Sequence, residues 1–213
     1  MDAGRRKPGG RPTREQAEAI DARILDGARA VFCRKGVAGS GMEEVAAELG
    51  ISKHTLYRRY SNKAALLEAV VGLDVGRFRQ ALSDAAAGED GTGTLDALRR
   101  AAFRYVEIGS SRGYAAFYLS VSAEAAISPD LRERLASWSR DALEPLVGCV
   151  AAAQSVGDLR TGDPITVCAI LVDLLEGVNN RIRLGDDTAA VAPSLTRLFE
   201  ERWAVFIAAL GGG

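Results

Sequence analysis

Apolar side chains in this chain return every three or four residues over most of its length, and no segment shows the apolar–polar alternation of a half-buried strand. A sheet needs that two-residue alternation to bury one face, so its absence restricts the chain to helices packed on helices, an all-α fold. Ile20, Ile24, Ala28, Val31 and Phe32 form one stripe, with Asp21, Arg23, Asp26 and Arg29 on the other faces, and predict a first helix over 15–35. Thr13 can cap its start, and Gly36 supplies a left-handed residue past its end. With 47% hydrophobic and 26% charged residues among 213, the chain has the apolar material for a sizeable core.

The next elements are short. Met42, Val45, Ala46 and Leu49 share one side of a helix over 42–49, which Gly50 stops. Ser52 is an N-cap for a third helix, Lys53 to Tyr60, and Ser61 or Asn62 caps a fourth that carries Leu66, Leu67, Val70, Val71 and Leu73 and continues towards Ala87. Gly88 to Gly93 (GEDGTG) breaks the pattern. Beyond it the spacing predicts helices at Thr94–Ser110, Gly113–Ala126, Pro129–Gln154 with Ser128 as cap and a bend at Pro145, Pro164–Leu184 and Pro193–Leu210. The organisation read from this is a flexible basic arm over 1–14, a helix-turn-helix unit over 15–62, a connecting helix and loop over 63–93, and a helical body over 94–213.

Charge is unevenly placed. The net charge is −1, yet residues 1–67 hold 13 Lys and Arg against 8 Asp and Glu, while the remainder holds 14 against 20. A basic end on an acidic body suits a polyanion partner, because phosphate neutralisation needs cations concentrated locally. The arm contributes Arg5, Arg6, Lys7, Arg11 and Arg14, of which Arg11 and Arg14 could reach a minor groove or phosphates. Three cysteines, Cys33, Cys149 and Cys168, are far apart and odd in number, which favours reduced thiols over a disulfide framework. No apolar segment follows the N-terminal cations, and no run approaches the roughly 20 apolar residues of a membrane span, so a cytoplasmic, nucleoid-associated protein is expected. His54 is the sole histidine and cannot build a metal site or a triad alone. Neither a phosphate loop nor a nucleophile elbow nor clustered metal ligands stand in the chain, so no enzyme, cofactor or metal is expected.

The informative stretch is Ser40 to Val70, SGMEEVAAELGISKHTLYRRYSNKAALLEAV. Two helices meet at Leu49-Gly50-Ile51-Ser52; Ala46 is small enough for a close crossing and Ile51 plugs the gap beneath. Helix three then stands out, with Lys53, His54, Thr55, Tyr57, Arg58 and Arg59 available to solvent, and such a helix fits the DNA major groove.

This stretch resembles the TetR family of bacterial regulators through Gly36, Ser40, Met42, Val45-Ala46, Gly50-Ile51-Ser52, Thr55-Leu56-Tyr57, Tyr60, Lys63 and Leu66, about a quarter of the chain. The resemblance implies phosphate contacts from Thr55, Tyr57 and Lys63, with Ser40 and Ser52 as further hydroxyls on the DNA side. Lys53, His54 and Arg58 are the candidates for base edges, Arg58 best suited to guanine, and Arg59 for either phosphate or base. For Lys53, His54 and Arg58 the alternative is a solvated surface residue; for Tyr57 it is a core aromatic. The chain departs from the family pattern at Val37, where an aromatic is usual, and at Gly41, which removes a hydroxyl and leaves Ser40 as the cap of helix two. It departs again at Leu49 for a small residue, at Ala64 for a glutamate and at Arg59 for Tyr or His.

The resemblance further implies an all-helical C-terminal domain with an apolar effector pocket, a homodimer and operator DNA as partner. The aromatic clues in the body are Phe103, Tyr105, Tyr114, Phe117, Tyr118 and Trp138, with Ser120, Glu124 and Asn179 as polar anchors and Leu175 as an apolar wall; plain core is the alternative for each. Pro164–Leu184 is apolar around most of its circumference, through Ile165, Cys168, Ala169, Leu171, Val172, Leu175, Val178 and Ile182. In Pro193–Leu210, Leu195, Leu198, Phe199, Phe206 and Leu210 form a stripe beside Trp203. These two helices are the expected four-helix dimer surface, with burial inside one subunit as the alternative. The reading that results is a repressor released from a palindromic operator by a small apolar or amphipathic effector. Its rivals are a ligand-independent DNA-binding or interaction module and an enzyme carrying an incidental helix-turn-helix.

Overall fold

Caps and glycines delimit the helices much as their sequence signals suggest. The computed structural model describes residues 14–88, 93–184 and 194–212, with side chains from residue 19 onward. Its elements are α1 (Arg14–Lys35), α2 (Met42–Glu48), α3 (Lys53–Arg59), α4 (Lys63–Ala87), α5 (Thr94–Ser110), α6 (Arg112–Ile127), α7 (Pro129–Ser155), α8 (Pro164–Arg183) and α9 (Leu195–Leu210). Gly36 closes α1 at φ 75°, and its amide bonds to the Phe32 carbonyl at 2.9 Å. Asn62, rather than Ser61, caps α4 by accepting from the Ala65 amide at 2.9 Å. Ser128 caps α7, which runs on through Pro145. The arm up to residue 13, the Thr13 cap, residues 89–92 of the glycine-rich break and Pro193 lie outside the described residues.

Two apolar cores share α4. Its first half, through Leu66, Leu67, Val70 and Val71, packs with Ile24, Phe32, Val45 and Leu56 of the first three helices. Its second half, through Phe78 and Leu82, belongs to the core of the body with Leu98, Val106, Leu146, Leu171 and Phe206. Phe117 and Val121 of α6 enter the first core, so the N-terminal helices are seated on the body rather than hanging from it. Arg160 donates to the Leu210 carbonyl at 2.9 Å and Gly212 to the Asp158 carbonyl at 2.9 Å, pinning the end of α9 to the α7–α8 loop.

The apolar residues of α8 and α9 divide between the subunit's own core and an outward face. Cys168, Leu171, Leu175 and Val178 on α8, and Leu198, Phe199, Trp203 and Phe206 on α9, are buried in the subunit's own core. The two helices pack on each other and on α5, which removes those faces from water. The face left outward holds Ile165, Ala169 and Ile170 on α8, and Ala204, Val205 and Ala208 on α9. Among the described residues no helix is long and apolar enough to cross a membrane, and no group of three His, Cys, Asp or Glu side chains is placed to hold a metal.

Candidate nucleic-acid interface and interior cleft

The turn between α2 and α3 is a backbone requirement. Gly50 sits at φ 62°, a left-handed conformation that other residues adopt at a cost of about 1–2 kcal/mol, while a Cβ there would meet no neighbour. Conformation rather than space therefore demands glycine. The Ile51 amide bonds back to the Ala46 carbonyl at 3.0 Å, and the Ser52 hydroxyl accepts from the Thr55 amide at 3.1 Å, starting α3 at once. Leu56 is fully buried and fixes the rotation of α3. Lys53, His54, Tyr57 and Arg58 then share the opposite, exposed face, as helical spacing dictates for positions i, i+1, i+4 and i+5. His54 and Arg58 make no hydrogen bond or ion pair among the described residues. Thr55 is half-buried and shares a hydroxyl–hydroxyl contact of 2.9 Å with Ser52.

Three expected contact residues are placed elsewhere. Arg59, one position past Arg58, is rotated about 100° around the helix axis and pairs with Asp21 of α1, with its Nε buried and unpartnered. It braces α3 against α1 and does not join the outward cations. Ser40 does not cap α2. It is only 4% exposed, and its hydroxyl donates to the Gly36 carbonyl at 2.6 Å, one of the acceptors that the end of α1 leaves open. Gly41 occupies the N-cap position without a side-chain bond. Lys63 folds back: its ammonium donates to the Val37 carbonyl at 2.9 Å and to the Ala38 carbonyl at 3.4 Å, tying the start of α4 to the loop after α1.

Glu43, in the first turn of α2, is a participant that sequence spacing does not disclose. Its carboxylate lies 3.6 Å from the Lys53 ammonium and accepts from the Tyr57 hydroxyl at 3.4 Å. A hydrogen bond from its own amide, and then the charge of Lys53, hold its carboxyl below the usual carboxylate range. The only sequence signal is an acidic residue at a helix N-terminus, where the dipole favours it. Gly27 was hidden in the same way: a Cβ there would overlap the Leu49 side chain, so the large residue at the α2 C-cap is accommodated by a missing one on α1.

Inside the body, α4, α6 and α7 enclose a narrow cleft with a cavity volume of about 60 Å³. Phe78, Tyr114, Phe117, Tyr118 and Trp138 wall it, and Asp74 is the carboxylate on its lining. Tyr114 stacks between Phe78 at 5.6 Å and Tyr118 at 6.1 Å, and burial pushes its phenol up to about 12, so it stays neutral. Of the expected pocket residues, Tyr114, Phe117, Tyr118 and Trp138 reach this cleft. Ser120 instead accepts from the Val37 amide at 2.8 Å, joining α6 to the loop after α1, and Glu124 lines a separate groove with Lys63 and Arg134. Phe103 packs edge-on to Phe199 at 5.0 Å. Leu175 is fully buried core. Asn179 is fully buried against Gly109 and donates to Glu176 at 2.6 Å, within a knot where Tyr105 also donates to Glu176 at 2.7 Å. Asp74 and Phe78 escaped sequence reading because they sit on α4, which local pattern describes only as a connection.

The cleft is wired to α1. Arg29 donates from Nε to Asp74 at 2.5 Å and from Nη2 to the Gly113 carbonyl at 3.3 Å, and its guanidinium lies 5.1 Å from the Phe117 ring centre. A second tie joins Arg77 of α4 to Asp26 of α1 at 2.5 and 3.1 Å, lowering the Asp26 carboxyl through that hydrogen bond.

Known proteins with these features fall in one group. Residues 24–70 match the family described as bacterial regulatory proteins, tetR family, and residues 91–198 match the tetracyclin repressor-like C-terminal domain. The HTH-type transcriptional regulator TtgR of Pseudomonas putida is 28% identical over 90 residues, so the match spans 42% of each chain, less than half of that relative's length. Among solved structures, a regulator from Mesorhizobium loti superposes with a TM-score of 0.77 at 22% identity, covering 94% of this chain and all of the other. The SmeT–triclosan complex superposes with a TM-score of 0.71 at 24% identity, covering 91% of this chain and 92% of that one. With its N-terminal helices matched by one family domain and half its length by the other, the chain belongs to the TetR family of transcriptional regulators, which are DNA-binding factors and not enzymes.

Proposed function

We propose that the chain is a homodimeric repressor whose two α3 helices read successive major grooves of a near-palindromic operator, and that a small apolar or amphipathic effector in the α4–α6–α7 cleft releases it. The observation that carries the DNA half is the outward face of Lys53, His54, Tyr57 and Arg58, presented over the buried Leu56. Arg58, His54 and Lys53 take base edges; Tyr57, Thr55 and Ser52 take phosphates; Lys63 offers phosphate the ammonium hydrogen its two carbonyl partners leave over. Equilibrium binding to the chain's own promoter across a salt series tests this half. Log affinity should fall linearly with log salt, by roughly 0.9 per phosphate neutralised. An affinity that ignores salt would refute it.

The dimer is built from the outward faces of α8 and α9, whose small residues Ala169, Ala204 and Ala208 permit close helix approach. The effector half is supported by the aromatic cleft, and SmeT's complex with triclosan shows a structural relative holding a small aromatic molecule. A volume of about 60 Å³ is below the roughly 300 Å³ of ordinary ligand pockets, so ligand entry requires Trp138 or Tyr118 to swing away. The same tightness favours a second reading, constitutive operator binding without a ligand. Screening effectors against the protein–operator complex separates the two, since a ligand releases DNA only by its differential affinity for the two states.

A further inference from the structure

Arg29 reaches the wall of the cleft from the groove on its α1 side. Its guanidinium pairs with Asp74, the one carboxylate on the cleft lining, and also lies over Phe117, one of the aromatic walls. The cation that neutralises the cleft's carboxylate is therefore supplied by α1, an element of the DNA-binding unit. We propose that the effector is a lipophilic cation, an amine or quaternary ammonium on a flat apolar body, that displaces Arg29 from Asp74 and so unfastens α1 from α4. This rests on the reading of the cleft as the effector site.

The chemistry selects the charge. A neutral ligand gains only apolar contact and leaves the Arg29–Asp74 pair intact. An anion meets the Asp74 carboxylate and the negative faces of the surrounding rings. A cation replaces the guanidinium at Asp74 and gains aromatic faces, so the carboxylate is never left buried without a partner. Arg29 has somewhere to go: it borders an open groove of about 490 Å³ between α1, α4, α5 and α6 that also exposes Asp26, one turn away on its own helix. Once Arg29 leaves, its contact with Gly113 of α6 weakens too, which leaves Arg77–Asp26, Val37–Ser120 and the Lys63 bonds to Val37 and Ala38 among the polar links from α1 and its following loop to α4 and α6. The ligand's differential affinity for the two positions of α1 then becomes a change in DNA affinity.

The test uses the full chain and an isosteric pair, phenyltrimethylammonium and its neutral analogue tert-butylbenzene, with Trp fluorescence and calorimetry reporting binding. The cation should bind about tenfold tighter than the hydrocarbon, the scale expected of a desolvated cation–aromatic contact. Asp74→Asn should remove that preference, and Arg29→Met should tighten the cation several-fold because its competitor is gone, an outcome no merely structural role predicts. The double variant, which removes both half-buried charges together and so should fold, should bind the two probes alike. Equal binding of both probes by the native protein, or a cation weakened by Arg29→Met, overturns the proposal while leaving the cleft as an effector site. If neither probe binds, the effector reading falls with it.

Discussion

The N-terminal unit and the body use similar apolar helices to opposite ends. In the first, a small core anchored by Phe32, Leu56 and Leu66 turns a polar face outward, and the side chains proposed to meet DNA stand in water. In the second, the side chains proposed to hold an effector point inward as the aromatic walls of the cleft, beside a part-buried knot of Tyr105, Glu176 and Asn179. A face that works outside needs only a correctly rotated helix. A site that works inside needs several helices to agree, so it depends on every packing contact between them. Polar links between the two regions include Arg29–Asp74, Arg77–Asp26 and Val37–Ser120, each of which joins α1 or its following loop to α4 or α6.

Substitutions can break or sharpen this contrast. Phe32→Ala should have the largest effect, about 3–5 kcal/mol off stability, because a fully buried ring in the smaller core leaves a cavity few neighbours can fill. Chemical denaturation followed by far-UV circular dichroism measures it; a loss confined to the first four helices would show that the two cores unfold separately. Val205→Asp should come next. It places a charge on the outward face of α9, and operator affinity should drop about 100-fold as the second half-site loses its linkage to the first. Light scattering must then report monomers, and a persisting dimer would put the interface elsewhere.

Arg58→Ala should cost about tenfold at particular operator positions and little at others, read by binding to a library of variant sites. A uniform loss would demote Arg58 to a phosphate contact. Gly50→Ala should lower stability by about 1–2 kcal/mol through its positive φ alone, with no clash to relieve, and thermal melting reports it. The smallest effect belongs to Glu43→Gln, which frees Lys53 and Tyr57 from a competing carboxylate. Operator affinity at low salt should rise about threefold, and the rise should vanish at high salt as the ionic contact is screened.

Local pattern alone was enough for the all-α class, for nearly every helix boundary and for the turn glycine, because caps, left-handed residues and apolar periodicity act within a few residues of chain. It was enough, too, to place Lys53, His54, Tyr57 and Arg58 on one exposed face of a single short helix. Tertiary packing alone decided that Arg59 turns to Asp21, that Ser40 is buried, that Lys63 bonds to the Val37 carbonyl and that Glu43 faces Lys53. It likewise decided that the bulky stripes of α8 and α9 close the subunit's own core and that Asp74 and Phe78 of a connecting helix line the cleft. Each of these outcomes depends on where a second helix lies, and the spacing of residues along one helix carries no information about the side chains another will bring to meet it.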